Sequence, residues 1–137
     1  MSVHAGIIDR LKTDGAISVL LGGKIFPESA PSDQQPPYAT VHVDGDTPWR
    51  NSDSMVGTKE ASLDVEIVAD SLAALDPISR AVESRLPLFS RESRHGCTLH
   101  GISTDEPMTT DVVYRQGGQE KHLLVRSIPA RAYYSDE

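Results

Sequence analysis

The sequence predicts an α+β fold in one domain spanning residues 1–137. We expect a mainly antiparallel β-sheet of about four to five strands. One face of this sheet is covered by an N-terminal helix and a longer helix at about residues 71–89. Three observations lead to this prediction: apolar residues at helical spacing near the N-terminus, strict alternation over residues 60–69, and a Gly-Gly pair between two strand-like segments in the last third.

Composition limits the classes of protein to consider. With 137 residues, 38% of them hydrophobic, the chain can bury a modest core. No apolar run approaches the roughly 20 residues that span a bilayer, and no secretory signal is visible at the N-terminus. The net charge of −7 argues against a dedicated DNA binder, and the single Cys97 excludes an internal disulfide and fits a reducing cytoplasm.

The N-terminal segment predicts two consecutive helical pieces. The first has apolar residues at helical steps, namely Val3, Ile7, Ile8 and Leu11. Gly15 interrupts it, and the second piece ends at Gly22-Gly23, where glycine suits the left-handed conformation that closes many helices. A short apolar strand, Ile25-Phe26-Pro27, follows.

Two strands are expected in the middle of the chain. Residues 38–44 alternate, with Ala39, Val41 and Val43 on one face. Residues 60–69 give the clearest signal, because apolar residues occupy every second position, namely Ala61, Leu63, Val65, Ile67 and Ala69. This period of two is typical of a half-buried antiparallel strand.

The long helix is expected to begin after Ser71, with an apolar stripe of Leu72, Leu75, Ile78, Val82 and Leu86. Pro77 leaves two possibilities open: one helix with a loose first turn, which we favour, or a helix that begins with Asp76 as its cap. Residues 90–96 are expected to form a polar connecting loop.

The last third predicts strands at residues 98–104, 109–115 and about 120–134. Gly117-Gly118 fits a two-residue hairpin loop, because glycines accept the positive φ angles of such turns. This loop sets a register in which Gln116 faces Gln119, Arg115 faces Glu120, and Val113 faces His122. Pro129 is expected to bend the last strand or to place it at a sheet edge.

The connection at residues 45–58 contains the only tryptophan, Trp49, beside Arg50. Long loops without regular structure are uncommon unless they are functional or disordered. Trp and Arg are enriched at binding hot spots, so Trp49, Arg50, Asn51 and Met55 are candidate interface residues. The alternative is that Trp49 folds back over a sheet edge.

Chemical sites have weak support in the sequence. His95, Cys97 and His100 could bind zinc by residue type, but no second ligand pair follows at zinc-finger spacing. Asp44-Gly45-Asp46 resembles the start of a calcium loop without its later ligands, so a polar turn is the simpler interpretation. No catalytic motif is present, and we expect no enzyme activity, no cofactor and no metal.

The order of these segments resembles the tail-completion, or tail-terminator, proteins of long-tailed bacteriophages. The resemblance depends on Leu21-Gly22-Gly23-Lys24-Ile25-Phe26-Pro27, on the Pro37-Tyr38 strand entry, and on the strand ending at Val68-Ala69-Asp70. The helix after Ser71 and the long final strand complete it. Pro77 and the extended loop around Trp49 are less typical of the family.

The resemblance implies a structural virion protein of the head–tail junction, assembled in the cytoplasm of the bacterial host. Such proteins cap the head-proximal end of the tail tube as a ring, usually of six subunits, and stop its polymerisation. They also provide the surface on which the head connector docks. The implied partners are further copies of the chain, the major tail tube protein and a head-completion or connector protein, while DNA passes through without specific binding.

Three alternatives remain open from the sequence. One is a head-completion adaptor ring, which would bind the portal rather than the tube. A second, from a different class, is a small metal-binding enzyme that uses the His95–His100 segment. A third is a non-phage adaptor domain with the same fold.

Overall fold

The computed structural model describes residues 3–31, 34–48, 58–89, 92–94 and 97–136. Its elements, in chain order, are α1 (Val3–Thr13), α2 (Gly15–Leu21), β1 (Ile25–Pro27), β2 (Tyr38–Pro48), β3 (Thr58–Ala69), α3 (Leu72–Arg85), β4 (Glu92–Arg94), β5 (Cys97–Thr104), β6 (Met108–Gln116) and β7 (Gln119–Asp136). A single 3-10 turn, Leu86–Leu88, extends α3. No helix among the described residues is both long and apolar enough to cross a bilayer.

The predicted α+β class is confirmed, with more strands than expected. Within the described residues the sheet has seven strands, in the order β1-β2-β3-β7-β5-β4, and β6 also pairs with β7. All pairings are antiparallel except that of β1 with β2. The short strand β1 was predicted at Ile25-Phe26-Pro27, whereas the three-residue strand β4 lies where a loop was expected.

Strand β7 is the centre of the sheet. Over residues 124–135 one of its edges pairs with β3. Its other edge pairs with β6 over residues 119–127 and with β5 over residues 130–136. Strands β5 and β6 therefore lie end to end along the same edge of β7, separated by a short connection.

Of the two alternatives predicted for Pro129, the sheet-edge position was wrong, because this residue lies within an interior strand. Its Cα is paired with Asp64 of β3, and its carbonyl accepts a hydrogen bond of 2.8 Å from the Asp105 N–H. Since N–H and C=O of one strand residue point to the same side, the missing donor of Pro129 faces the β5–β6 connection. No strand needs a donor there, so proline is tolerated.

The prediction for residues 44–58 also needs correction. Strand β2 continues to Pro48, and β3 begins at Thr58, so the connection is shorter than expected. Asp44, Gly45 and Asp46 belong to β2, where the register shifts at a bulge, and do not form the polar turn that we expected. An extra residue at a bulge disrupts the alternation from which strands are recognised.

The described helices pack against one face of the sheet. Helix α1 buries the four predicted apolar residues, Val3, Ile7, Ile8 and Leu11. Strand β3 contributes the five alternating residues predicted above, all buried. These residues belong to one hydrophobic cluster, which also contains Ile128, Ala130, Ala132 and Tyr134 of β7.

Helix α3 is continuous through Pro77 and starts with a fixed first turn. The Ser71 hydroxyl accepts a hydrogen bond from the Ala74 N–H at 3.2 Å, so Ser71 is the cap. Asp76 instead accepts a hydrogen bond of 2.8 Å from Arg126. Leu72 is exposed, contrary to the predicted stripe, because the helix turns its first residue away from the sheet.

Asp14 links the helices to one another. Its buried carboxylate accepts hydrogen bonds from Ala16 N–H at 3.0 Å and Ile17 N–H at 3.3 Å, which caps α2. The same carboxylate accepts a 2.8 Å hydrogen bond from Arg85 at the end of α3. Burial acts to raise the pKa of Asp14, but these hydrogen bonds and the Arg85 charge outweigh it, so the pKa is lowered.

We predict that Asp14→Ala lowers the free energy of unfolding by about 2 kcal/mol at neutral pH. The substitution removes a helix cap and leaves Arg85 without its carboxylate partner. Asp14→Asn is the matched control, because asparagine caps as well as aspartate and loses only the charge, so it should cost about half as much. Urea unfolding of the three proteins measures this, and equal losses for both variants would contradict the role of the Arg85 pair.

Candidate interaction surface

One β-hairpin extends beyond the rest of the sheet. The pairing of β7 with β3 ends at Leu124, but β6 and β7 continue for five more residue pairs, from Val112–Leu123 to Gln116–Gln119. At about 3.4 Å per residue, this two-stranded extension is about 17 Å long. We call residues 112–123 the hairpin arm.

The turn of the arm has the conformation that the sequence predicts. Gly117 and Gly118 have φ angles of 62° and 78°, which are accessible to glycine at little cost. The predicted register is confirmed, with Arg115 opposite Glu120 and Val113 opposite His122. The turn therefore fixes which side chains share each face of the arm.

The two faces of the arm differ in chemistry. Val112 and Leu123 are opposite each other on one face, which also carries Lys121 and continues along the sheet to Val125 and Met108. The other face carries Val113 and a set of charged groups, in which His122 Nδ1 lies 3.9 Å from an Asp111 carboxylate oxygen and His122 Nε2 lies 4.0 Å from a Glu120 carboxylate oxygen.

The apolar residues of β6 are exposed to solvent. The exposed fractions are 69% for Met108, 39% for Val112 and 49% for Val113. Two-stranded hairpins without further packing are only marginally stable in water. A projecting hairpin with exposed valines is therefore expected to be covered by another molecule in the assembled state.

The outer edge of β6 is open in the part of the chain that the structure describes. Strand β6 pairs only with β7, over nine consecutive residues without a register shift. Proteins usually protect such edges with charged side chains, proline, a bulge or a very short strand, and of these β6 has only the charged residues Asp111 and Arg115. This edge can accept an additional strand.

At the end of the sheet formed by β1 and β2, two histidines and a glutamate form a cluster. Glu28 follows β1 with a φ of 62°, a strained conformation for a residue other than glycine. Its carboxylate contacts the His42 Nδ1 of β2 and lies 3.7 Å from the His4 Nδ1 of α1. The His4 Nε2 donates to the Val41 carbonyl at 2.7 Å, so the cluster connects α1, β1 and β2.

Both partners of the closest pair have shifted pKa values. The hydrogen bond from Glu28 raises the pKa of His42, and the charges of Glu28, Asp44 and Asp64 act in the same direction. The hydrogen bond with His42 lowers the pKa of Glu28. The pair is exposed, so this cluster is an electrostatic link at a sheet edge rather than a buried catalytic centre.

The uncovered face of the sheet is mixed in character. Tyr38, Val68 and Val125 are aligned across three neighbouring strands, and Val68 is buried between its neighbours. Towards the other end of this face the side chains become acidic, as at Asp64 and Glu66. The apolar part therefore adjoins the base of the hairpin arm.

The four candidate interface residues, Trp49, Arg50, Asn51 and Met55, lie outside the described residues, as does His95 of the zinc hypothesis. Cys97 belongs to β5, and His100 Nε2 lies 3.0 Å from the Ser135 hydroxyl oxygen. Among the described residues no three His, Cys, Asp or Glu side chains are arranged to hold a metal ion.

The sequence interpretation missed the arm as a surface, although it located the hairpin. The available signal was the pair Val112-Val113, because adjacent valines place apolar groups on both faces of a strand. The exposure of the arm depends on where β3 ends relative to β7.

Comparison with known proteins finds similarity to one protein family and to chains of solved structures. The family "Tail completion protein gp17" matches residues 5–104. A chain in the solved structure of the virion of a native gene transfer agent particle has the same fold, with a TM-score of 0.65 and 15% sequence identity. That likeness covers 97% of this chain and 99% of the other. No curated protein sequence matches the chain.

The His42–Glu28 pair predicts a bell-shaped pH dependence of its stabilising effect. The raised pKa of His42 gives stability that is lost as pH rises through that pKa. The lowered pKa of Glu28 gives stability that is lost as pH falls through it. The pair is therefore fully effective between about pH 4.5 and pH 6.5, the ordinary pKa values of the two groups.

We predict that His42→Gln lowers the melting temperature most at about pH 5.5, and less at about pH 3.5 and about pH 8.5. Thermal unfolding at the three pH values measures the difference from the parent protein. His100→Gln is the control, because His100 is bonded to a hydroxyl rather than to a carboxylate. A destabilisation by His42→Gln that does not vary with pH would contradict the ion pair.

Proposed function

Because the chain belongs to the tail completion protein gp17 family, we propose that it caps the head-proximal end of a phage tail tube. In this role it forms a ring, stops further polymerisation of the tube and provides the docking surface for the head connector. The family match carries the proposal, because residues 5–104 extend from within α1 to the end of β5.

The geometry is compatible with a structural role. A ring of identical subunits in a head-to-tail arrangement requires two different contact surfaces on each subunit. The hairpin arm and the open edge of β6 offer one of them, because both expose groups that are normally covered in folded proteins. A structural protein needs such contact surfaces and does not need a catalytic site.

The proposed partners are further copies of the chain, the major tail tube protein and a head-completion or connector protein. We propose six subunits in the virion, and isolated subunits that are monomers until a partner surface offsets the entropy of ordering loops. Assembly takes place in the cytoplasm of the bacterial host. DNA passes through the channel without specific binding, because a ring of subunits with a charge of −7 each repels phosphates.

The segment around Trp49 completes the proposed contacts. Trp49, Arg50, Asn51 and Met55 combine residue types that are enriched at binding hot spots with a position in the connection between β2 and β3. We propose that they contact either a neighbouring subunit or the tail tube.

Deletion of the gene from the native phage or prophage tests the function directly. We predict full heads beside detached tails of abnormal, variable length, seen by negative-stain electron microscopy. Complementation with the intact gene should restore tails of normal length and is the control. Free tails of normal length beside leaking heads would instead assign the protein to the head side of the junction. Intact infectious particles would contradict a structural role.

Substitution of the proposed hot spot tests the contact at residues 49–55. We predict that Trp49→Ala and Arg50→Glu each reduce incorporation into tails by roughly tenfold or more, because losing a hot-spot side chain costs about 2 kcal/mol of binding. Ser54→Ala, in the same connection, is the matched control and should incorporate normally. Quantification of the protein in purified tails gives the measurement, and normal incorporation of both variants would remove this segment from the interface.

A further inference from the structure

One arginine side chain joins the base of the hairpin arm to the helices. Arg126 lies on β7, where its Cα is paired with Ile67 of β3 on one side and with Thr109 of β6 on the other. Because side chains alternate along a strand, Arg126 is on the same face as Leu124 and the buried Ile128, which is the face that the helices cover. Leu124 is opposite the last residue of β3, so Arg126 lies at the base of the arm.

The guanidinium group of Arg126 contacts two elements at once. Its Nε donates a hydrogen bond of 2.9 Å to the Thr109 hydroxyl oxygen of β6, and its Nη1 donates one of 2.8 Å to the Asp76 carboxylate of α3. The side chain of Arg126 is 18% exposed and that of Asp76 is 41% exposed. Since an ion pair that is partly withdrawn from water is screened less by salt, this pair is more than a loose surface contact. We call these two hydrogen bonds the Arg126 link.

Helix α3 is itself fixed, so it can serve as the support of this link. It buries Leu75, Ile78 and Val82, and Asp76 comes directly after the first of them. Successive residues of a helix are about 100° apart, which places Asp76 on the flank of the helix rather than under it. The Ser71 cap fixes the first turn, and α3 therefore presents the Asp76 carboxylate in a defined position.

Strand β6 has little other support. In the part of the chain that the structure describes it pairs with β7 alone, and beyond Asp111 no third strand lies beside the pair. Two-stranded ribbons are marginally stable in water and vary widely in their twist. The direction of the arm relative to the helices is therefore weakly determined by the sheet alone.

We propose that the Arg126 link sets the direction in which the arm projects and so prepares the arm for assembly, with Arg126 as the positioning residue. The assembly part of this inference rests on the proposed function. An element that is ordered before it binds loses less conformational entropy on binding, and the link provides that order. Arginine suits the position because its planar group carries donors in several directions, whereas lysine presents a single point charge.

The backbone of β7 is the alternative support of the arm, because this strand is continuous from the sheet into the arm. If the backbone alone set the direction, loss of the Arg126 side chain would leave it unchanged. Arg131 offers a matched comparison on the same strand. Its Nη1 lies 3.7 Å from a Glu60 carboxylate oxygen on the opposite face of the sheet, so its ion pair is not part of the link.

Distances between two spin labels measure the direction of the arm in the purified protein. In a Cys97→Ser background, Lys121→Cys on the arm and Ser84→Cys on α3 carry the labels, and both positions are exposed. Arg126→Met removes both hydrogen bonds, and the distribution of label distances should become wider by roughly 1.5-fold or more. Arg131→Met should leave the width unchanged. An equal width in Arg126→Met and in the parent protein would overturn the proposal.

A second variant keeps the test valid if Arg126→Met folds poorly. Asp76→Ala breaks the same link from the helix side, at a partly exposed position in a helix, where alanine is well tolerated. It should widen the distribution as much as Arg126→Met does. The two substitutions together should widen it no further, because they remove one shared link. Additive effects of the two substitutions would contradict the link.

Competition in particles tests the assembly part. When a variant and the parent protein are expressed together in the deletion strain, Arg126→Met should be incorporated into tails roughly threefold less or worse, since its arm must be ordered on binding. Arg131→Met should be incorporated as well as the parent. Equal incorporation of Arg126→Met would overturn the assembly part. If the gene deletion leaves particles intact while the label distances still widen, the proposed function fails and the link between arm and helix stands.

Discussion

The backbone hydrogen-bond ladder of β7 is the interaction on which the structure depends. This 18-residue strand is paired on both edges, with β3 on one side and with β5 and β6 in succession on the other. Because its hydrogen bonds are taken up from both sides over most of its length, the sheet is continuous from β1 to β4. Pro129 fits this arrangement only because its missing donor faces the connection between β5 and β6.

The unequal lengths of β3 and β7 create the main interaction surface. Strand β3 ends at Ala69, opposite Leu124, while β7 begins at Gln119, and so the first residues of β7 have only β6 as a partner. The arm therefore projects beyond β3, and neither the helices nor a third strand covers its exposed Val112 and Val113. An uncovered extension of this kind suits contacts with other molecules.

The helices are held together by side-chain contacts, while the outer face of α2 remains apolar and exposed. Asp14 caps α2 and binds Arg85 of α3, and Arg10 of α1 lies over the ring of Phe89 at 4.8 Å from its centroid. The first of these contacts fixes α2 to α3, and the second joins α1 to the segment after α3, while the outer face of α2 stays apolar and uncharged. Membership in the tail completion protein family gives a reason for exposed contact surfaces, since a component of a virion tail contacts other structural proteins of the particle.

The sequence by itself determined the elements, because their signals are local. Alternation identified β3, helical spacing identified α1 and α3, and Gly117-Gly118 fixed the register of the hairpin. Only the tertiary structure decided which strand is central, that Pro129 is interior, that β2 continues through a bulge, and that Val112 and Val19 are exposed. These properties depend on which segments become neighbours, and spacing along the chain carries no information on where a neighbouring strand ends.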